Sequence, residues 1–260
     1  MSSPAPQTPA ENPSDEPMAP ETPSPVRERY RIRFAKTGLL RWTSHRDLAR
    51  LWERLLRRAQ LKLSMTEGFH PKPRIGFPSA LALGTNGLHE VVELDLAETP
   101  DAADLLERLR QDDQPGLTIH SVQRMPEGFG KAKLVHTEYQ ITLPDPELGA
   151  SPIDGETVKQ AIESLLQLDT VTVDRKKKSL TVCVDEQILS LVFGSDGIKL
   201  SLAASDSATL KPTDVLDLIG CSDWLAHGSQ ITRTAVVLDR EVESPEPNTY
   251  AHANTPPLDR

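Results

Sequence analysis

The residues of this chain that could do chemistry are mostly basic, and they are concentrated in one segment. Residues 27–74 contain 14 lysines and arginines but only four acids, a net charge of +10. The whole chain has 29 bases and 38 acids, a net charge of −9, so the remaining residues are strongly acidic. Segregated arginine in an acidic protein is typical of a surface that binds a polyanion, and RNA or DNA phosphates are the default candidates. The alternative is a solvated helix face beside a basic strand.

One group of these bases lies on a predicted helix, residues 45–58. Ser44 followed by Asp47 has the pattern of a helix start, and apolar residues recur from Leu48 onwards at intervals of three and four. On the opposite face, at about 100° per residue, four arginines fall within about 80° of one another. Guanidiniums spaced about one turn apart can follow a phosphate backbone, because each donates two parallel hydrogen bonds. The alternative is that Glu53 and solvent neutralise this face. The four are Arg46, Arg50, Arg54 and Arg57.

A second group lies in a loop rich in proline and glycine, residues 67–74. An aromatic side chain beside bases suits stacking on an unpaired nucleotide, and the prolines limit the shapes that the loop can take. In the alternative interpretation the loop is structural and Phe69 is a hydrophobic plug over the sheet. We expect Phe69 to be partly exposed instead. Together the two groups predict RNA contacts by Arg41, His45, Arg46, Arg50, Arg54, Arg57, Phe69, His70, Lys72 and Arg74.

His45 and His70 are the only histidines in the basic segment. Two histidines could cleave RNA without a metal ion, one taking the proton of the 2′-hydroxyl group and the other protonating the leaving oxygen. The favoured interpretation is that His45 caps the helix while His70 packs or contacts phosphate. No catalytic residue is therefore predicted, and a metal-independent endoribonuclease stays the alternative.

The two cysteines, Cys183 and Cys221, are far apart in the sequence and have no metal-binding spacing. Cys183 falls in an apolar strand pattern and Cys221 just after a helix pattern, which indicates reduced, partly buried thiols. Neither a metal site nor a cofactor is predicted. Because the sequence has neither an apolar run long enough to span a membrane nor a secretion signal, the chain is predicted to be cytoplasmic, with no membrane partner.

Apolar periodicity divides the chain into two similar halves. The first half has the predicted order strand, helix, strand, strand, helix, strand, and the second half repeats it more weakly with one additional strand, so the fold class is α+β with tandem ferredoxin-like domains. The first half has predicted strands at 30–34, 62–65, 91–96 and 117–122 and helices at 45–58 and 101–110. The second has strands at 138–143, 180–184, 188–193, 198–202 and 231–238, with the second and third forming a hairpin, and helices at 155–168 and 212–219. The predicted domains are 27–130 and 131–240, and residues 1–26 and 241–260 are predicted to be disordered, acidic, proline-rich tails.

In a ferredoxin-like sheet the first and third strands would be neighbours, with Arg31 and Arg33 facing Glu93 and Asp95. RNA-binding proteins of this topology display aromatic residues at those central positions. Charges of opposite sign can instead satisfy each other, so the open sheet is not expected to bind RNA, and the helix and the loop are the better candidates. The basic run Arg175–Lys178 is predicted to be a solvated turn.

An ordered string of motifs resembles a known bacterial family. The motifs are Arg31–Gly38 (RIRFAKTG), Trp42–Leu48 (WTSHRDL), Glu67–Ile75 (EGFHPKPRI) and Gly84 before Glu90. They are similar to the radical-SAM-linked family, a domain of unknown function. It occurs as the C-terminal part of cobalamin-binding radical SAM proteins, or as a separate protein encoded beside one. The resemblance covers roughly residues 28–210 and implies a radical SAM partner, but no catalytic residues, because the family has none established.

A radical SAM cluster is held by three closely spaced cysteines, which Cys183 and Cys221 cannot supply. The leading hypothesis is therefore a non-catalytic RNA-binding accessory protein that acts with a cobalamin-type radical SAM enzyme in tRNA or rRNA modification. The RNA follows from the charge, whereas the partner follows from the resemblance alone. The other hypotheses are the endoribonuclease that uses His45 and His70, and a protein–protein adaptor of the radical SAM enzyme that makes no contact with RNA.

Overall fold

Strand and helix patterns alternate along the chain, and the computed structural model describes them over residues 26–175, 178–205 and 209–241. The strands are β1 (Glu28–Lys36), β2 (Ile75–Gly76), β3 (Asn86–Leu96), β4 (Leu117–Arg124), β5 (Leu134–Ile141), β6 (Thr170–Arg175), β7 (Lys178–Cys183), β8 (Ile188–Gly194), β9 (Gly197–Ala203) and β10 (Ile231–Leu238). The helices are α1 (His45–Arg58), α2 (Ala102–Arg110), α3 (Gly155–Leu166), α4 (Val184–Gln187) and α5 (Pro212–Leu218). Short 3-10 helices lie at Gly38–Trp42, Pro146–Leu148 and Trp224–His227. The predicted tails lie outside the described residues, except for Val26 and Glu241.

Most strands join one mixed sheet. Its order is β4-β1-β3-β10-β5-β9-β8, and the short β2 also pairs with β3. β3 and β10 run parallel, with Thr232 opposite Asn86 and Arg233 opposite Gly87, whereas the other neighbours in this sheet are antiparallel. β6 and β7 form a separate two-stranded sheet.

Helices cover one face of each half of the sheet. In the first half, Trp52 and Leu55 of α1 and Leu105 of α2 are completely buried against β1 and β3. In the second half, Ile162 of α3 and Val215 of α5 are buried in one cluster with residues of β8 and β9. Each such side chain contributes roughly 1.5–3 kcal/mol when it leaves water. Among the described residues, no helix combines the length and the apolar character that crossing a membrane requires, and the cellular location stays a prediction.

The structure confirms the predicted mixed α+β class. The first half contributes β4, β1, β3 and β2 to the sheet, and the second half contributes β10, β5, β9 and β8. The parallel pairing of β3 with β10 joins the two sets into one continuous sheet. The tandem ferredoxin-like arrangement and the division into domains near residue 130 therefore stay predictions.

The predicted hairpin of residues 180–184 with 188–193 is wrong. β7 pairs with β6, and β8 pairs with β9. The prediction missed β6, where Val171 and Val173 alternate with polar residues and are buried. The short helix α4 then separates β7 from β8 and buries Val184.

The strand predicted at residues 62–65 is also wrong. This segment forms isolated bridges, Leu63 with Leu96 and Met65 with Pro73, and hydrogen-bonds to the end of β3, with the N–H of Ser64 donating to the carbonyl oxygen of Asp95 at 2.9 Å, but it is not a strand. After these contacts the chain turns outward into the 67–74 loop, so a continuous ladder does not form.

Candidate nucleic-acid interface

Helix α1 carries the first group of predicted contacts. Its N-cap is Ser44, not His45: the hydroxyl oxygen of Ser44 accepts a hydrogen bond from the backbone N–H of Asp47 at 3.2 Å. Trp52 lies edge-on against Phe34 of β1, with 5.0 Å between ring centroids. This packing fixes which face of α1 is turned to solvent. The buried face consists of Leu48, Leu51, Trp52, Leu55 and Leu56.

The arginines on the outer face of α1 are exposed and mostly unpaired. Arg50 lies 3.4 Å from Asp47 within the helix, and an exposed pair of this kind contributes at most about 0.5 kcal/mol. Arg58, at the end of the helix, pairs with Asp112. Within the described part of the chain, no ion pair is found for Arg46, Arg54 and Arg57. α1 thus presents an open row of guanidiniums about one turn apart.

The arginines at the start of the chain's first strand, unlike those of α1, are paired with acids of β3. Arg31 faces Glu93 in the register of β1 with β3, as expected, and its guanidinium lies 2.9 Å from the carboxylate. Asp95 binds Arg29 at 2.9 Å and Arg27 at 2.7 Å. Burial alone would raise the pKa of Asp95, but the hydrogen bonds from Arg29 and Arg27 outweigh burial and hold that pKa below its ordinary value.

The expectation that Arg33 faces Asp95 is wrong. The register places Val91 opposite Arg33. Its guanidinium turns towards the last strand instead, where it donates to the carbonyl oxygen of Val236 at 2.9 Å and pairs with Glu241. Burial lowers the pKa of Arg33, and Glu241 opposes that effect. The charges on this face of the sheet satisfy one another, so within the basic segment 27–74 the better candidates for RNA contact are α1 and the loop.

The 67–74 loop is the tip of a hairpin whose base is fixed by hydrogen bonds. The backbone N–H of Thr66 donates to the carbonyl oxygen of Lys72 at 2.8 Å, and the N–H of Lys72 donates to the hydroxyl of Thr66 at 2.9 Å. Nε of Arg74 donates to the carbonyl oxygen of Met65 at 3.0 Å. These bonds hold the two ends of the loop together and leave its centre free of the sheet.

Phe69 at the tip of this loop is fully exposed, at 101%. The alternative interpretation of Phe69 as a plug over the sheet is therefore wrong, and its exposure exceeds the partial exposure that we expected. Gly68 has φ +115, a conformation that glycine adopts without strain. It turns the chain so that Phe69 and the exposed His70 stand out from the fold.

The two histidines lie in different settings. Both are exposed, but His45 packs edge-on against Phe77, with 5.2 Å between ring centroids, whereas His70 is on the 67–74 loop. Among the residues that the structure describes, their rings make no contact with each other. Cleavage by general acid–base chemistry needs both imidazoles at one phosphodiester, and nothing in the described contacts brings His45 and His70 together.

Sequence reasoning missed one exposed aromatic residue. Trp42 ends the first 3-10 helix and is 58% exposed. The guanidinium carbon of Arg41 lies 5.3 Å from the centroid of its ring. The signal was a tryptophan outside the apolar periodicity of α1, between the turn at Gly38 and the cap at Ser44. One exposed aromatic ring, that of Trp42, therefore precedes α1 in the chain, and a second, that of Phe69, follows it.

The remaining candidates of the sequence lie elsewhere. Cys183 is exposed and Cys221 is buried, both as free thiols, and burial raises the pKa of Cys221 to about 11. Arg175 is not in a solvated turn, since it binds Asp214 of α5 at 2.6 Å, and residues 176–177 lie outside the described part of the chain. Within that part, no cluster of three histidine, cysteine or acidic side chains could hold a metal ion.

Comparison with known proteins identifies a family but no activity. A family model described as "Uncharacterized protein conserved in bacteria (DUF2344)" matches residues 29–212. No curated protein matches the chain. A solved structure described as "Crystal Structure of an Unknown Protein from Galdieria sulphuraria" is 12% identical, with a TM-score of 0.27, over 82% of this chain and 99% of that one. Function must be argued from the residues of the interface.

Proposed function

Because the chain belongs to the bacterial family DUF2344, whose description names no activity, we propose its function from its own surface: a non-catalytic, RNA-binding accessory protein. The proposed RNA surface consists of the outer face of α1 and the 67–74 loop. The proposed partner is a cobalamin-type radical SAM enzyme, and the proposed setting is the modification of tRNA or rRNA.

The observation that supports this proposal best is the contrast between the bases of β1 and those of α1. The arginines of β1 form ion pairs with acids within the protein, so they are not available to bind phosphate. Arg46, Arg54 and Arg57 face solvent, with no ion pair among the described residues. Their spacing, about 5.4 Å for each helical turn, allows successive guanidiniums to donate to successive phosphates of one strand.

The loop adds the chemistry that favours RNA over a simpler polyanion. Phe69 offers an open ring, and Lys72 and Arg74 supply positive charge in the same loop. Stacking of a base on an exposed aromatic ring is tolerant of sequence and is worth about 1–3 kcal/mol per base. An exposed ring flanked by bases therefore suits an unpaired stretch of RNA.

The accessory role rests on two arguments. The described contacts do not bring His45 and His70 together, and the two distant cysteines cannot hold the cluster of a radical SAM enzyme. Association with such an enzyme is proposed from the resemblance of the motifs between Arg31 and Glu90. In this arrangement the chain binds RNA and presents it, and the enzyme does the chemistry.

Incubation of the purified protein with end-labelled total RNA tests the proposal. Retarded RNA of unchanged length supports the accessory role. Shortened RNA would favour the endoribonuclease, and RNA that is neither retarded nor shortened would favour the adaptor. Gel filtration with a cobalamin-type radical SAM enzyme from the same organism tests the partner separately, and a failure to co-elute, with or without RNA, would contradict that part.

A further inference from the structure

Trp42 differs from the other two tryptophans of the chain. Trp52 and Trp224 are buried, at 0% and 5% exposure, whereas more than half of the Trp42 side chain is open to solvent. Two leucines near it are also exposed: Leu39, in the same 3-10 helix as Trp42, and Leu83, next to Gly84. The two segments are joined by a hydrogen bond from the N–H of Gly84 to the carbonyl oxygen of Arg41 at 3.0 Å. A large apolar surface left in water at one place usually marks a binding site.

The backbone that carries Trp42 is held from inside by a buried lysine. Nζ of Lys36 donates to the carbonyl oxygen of Thr43 at 2.9 Å and approaches that of Arg41 at 3.4 Å, so it binds the chain on both sides of Trp42. Lys36 is only 1% exposed, and burial lowers its pKa. Burying an ammonium group is costly in free energy. Here its hydrogen bonds fix the backbone on either side of Trp42, whose side chain is exposed.

The ring itself is positioned by Gly84 and Arg41. Gly84 has φ +80, and a Cβ atom there would lie 2.9 Å from Cζ3 of Trp42, so only glycine lets the indole ring lie this close. Arg41 is placed over the ring as a cation–π partner. Lys36, Trp42 and Gly84 all belong to the motifs that were recognised in the sequence, and the structure brings them to one place.

We propose that Trp42 is a stacking subsite for one unpaired nucleobase at the start of α1, an inference that rests on the proposed RNA-binding function. Arg46 is exposed in the first turn of α1, four residues after Trp42, and can donate to a phosphate of the same strand. A nucleotide fits better than an apolar protein side chain, because Arg41 and Arg46 give the patch positive charge. A paired base has both faces covered in the duplex and cannot stack there, so the subsite selects single-stranded RNA.

Tryptophan fluorescence tests the subsite, because Trp42 is the one exposed tryptophan of the three. The probe is an eight-nucleotide single strand of adenosines, compared with the same strand carrying abasic sites and with an adenosine–uridine duplex. We expect the adenosine strand to quench the exposed emission, whereas the abasic strand and the duplex leave it unchanged. The anisotropy of labelled strands measures binding independently of the tryptophans.

Variants separate stacking from apolar contact. Trp42→Leu keeps a large apolar side chain without the ring and should weaken binding of the adenosine strand about 5- to 150-fold, the range of one base stack. Trp42→Phe should lose much less, and Leu39→Ala, the matched change in the same patch, should have little effect. Melting temperatures of the three variants show whether they remain folded.

The possible failures point to different causes. If the unmodified protein binds the adenosine strand, but the strand does not quench the tryptophan emission and Trp42→Leu binds it as tightly, the subsite is wrong and the proposed function stands. If the unmodified protein binds no RNA, the proposed function fails together with the subsite. The comparison of tryptophan quenching by the adenosine and abasic strands needs no variant and reports on Trp42 rather than on Phe69, so it tests the subsite even if Trp42→Leu does not fold.

Discussion

Arg233 of β10 binds both carboxylate oxygens of Glu90 of β3, with Nε donating to Oε1 at 2.8 Å. Both residues are buried, and Nη1 of Arg233 also donates to the hydroxyl of Ser79 at 2.9 Å. Gly87 makes the pair possible, since a Cβ there would lie 2.5 Å from Cγ of Glu90. The ion pair therefore reinforces the parallel pairing of β3 with β10 that joins the two halves.

Removing either member of this pair should destabilise the protein strongly. Arg233→Met leaves a buried carboxylate and Glu90→Gln leaves a buried guanidinium, so each should lower the free energy of unfolding by about 3–5 kcal/mol. The double variant should lose less than the sum of the two. Urea unfolding of the three variants measures this coupling, and losses that add within about 0.5 kcal/mol would show that the two residues do not interact.

Asp95→Asn should make stability less dependent on pH in acid. Hydrogen bonds from Arg29 and Arg27 outweigh burial and hold the pKa of Asp95 below its ordinary value. The stabilisation is therefore fully present above the unfolded pKa of about 4 and is lost as pH falls through the folded pKa. Near neutral pH the variant should be less stable by about 2–4 kcal/mol.

The difference between Asp95→Asn and the unmodified protein should shrink below about pH 4. Urea unfolding at a series of pH values measures it. Asp113→Asn changes an exposed acid that has no ion pair among the described residues and should shift stability little. A difference for Asp95→Asn that stays constant down to pH 2 would show that the ion pairs with Arg27 and Arg29 do not form.

Phe69→Ala should weaken RNA binding without affecting the fold. The ring is fully exposed, so its removal opens no cavity and should leave the melting temperature unchanged. Loss of one stack should cost about 1–3 kcal/mol of binding. Leu168→Ala removes a comparable exposed apolar side chain from the second half and should change neither property. A large fall in melting temperature with unchanged RNA affinity would make the loop structural.

Replacing both histidines should not abolish any activity on RNA. His45 packs on Phe77 and His70 is exposed, so His45→Ala/His70→Ala should weaken RNA binding modestly at most. Incubation of labelled RNA with the unmodified protein and the double variant measures both binding and cleavage. If the unmodified protein cuts RNA and the variant binds RNA but no longer cuts it, the accessory role is wrong.

Sequence patterns predicted the elements that depend on local periodicity. The stripe from Leu48 to Leu56 and the cap at Ser44 determined α1, and the alternation from Tyr30 to Phe34 determined the centre of β1. Contacts between distant segments were not predictable in this way. No pattern near Arg233 indicates that it pairs with Glu90, 143 residues earlier in the chain. The parallel pairing of β3 with β10, which this ion pair accompanies, was therefore not predicted either.

The sequence showed which residues of the candidate site are basic or aromatic, but not which of them are buried and which are exposed. A count of bases cannot distinguish Arg31, which is buried against Glu93, from Arg54, which faces solvent. Trp42 was missed because its position depends on packing against Gly84, 42 residues further along the chain, and on hydrogen bonds from Lys36 to the backbone on either side of it. The exposure of Phe69 was underestimated, since the hydrogen bonds that hold its loop away from the sheet leave no mark in the sequence.

The salt dependence of RNA binding tests the proposed function most directly. If the row of arginines on α1 contacts phosphates, the logarithm of the affinity for a single strand should fall with the logarithm of the salt concentration by about 0.7 for each phosphate contacted. Arg50→Gln/Arg54→Gln should flatten that slope by about one to two and leave the melting temperature unchanged, whereas Lys133→Gln/Lys199→Gln, on exposed bases of the second half, should leave the slope as it is. An Arg50→Gln/Arg54→Gln slope equal to that of the unmodified protein would contradict the proposal that α1 binds RNA.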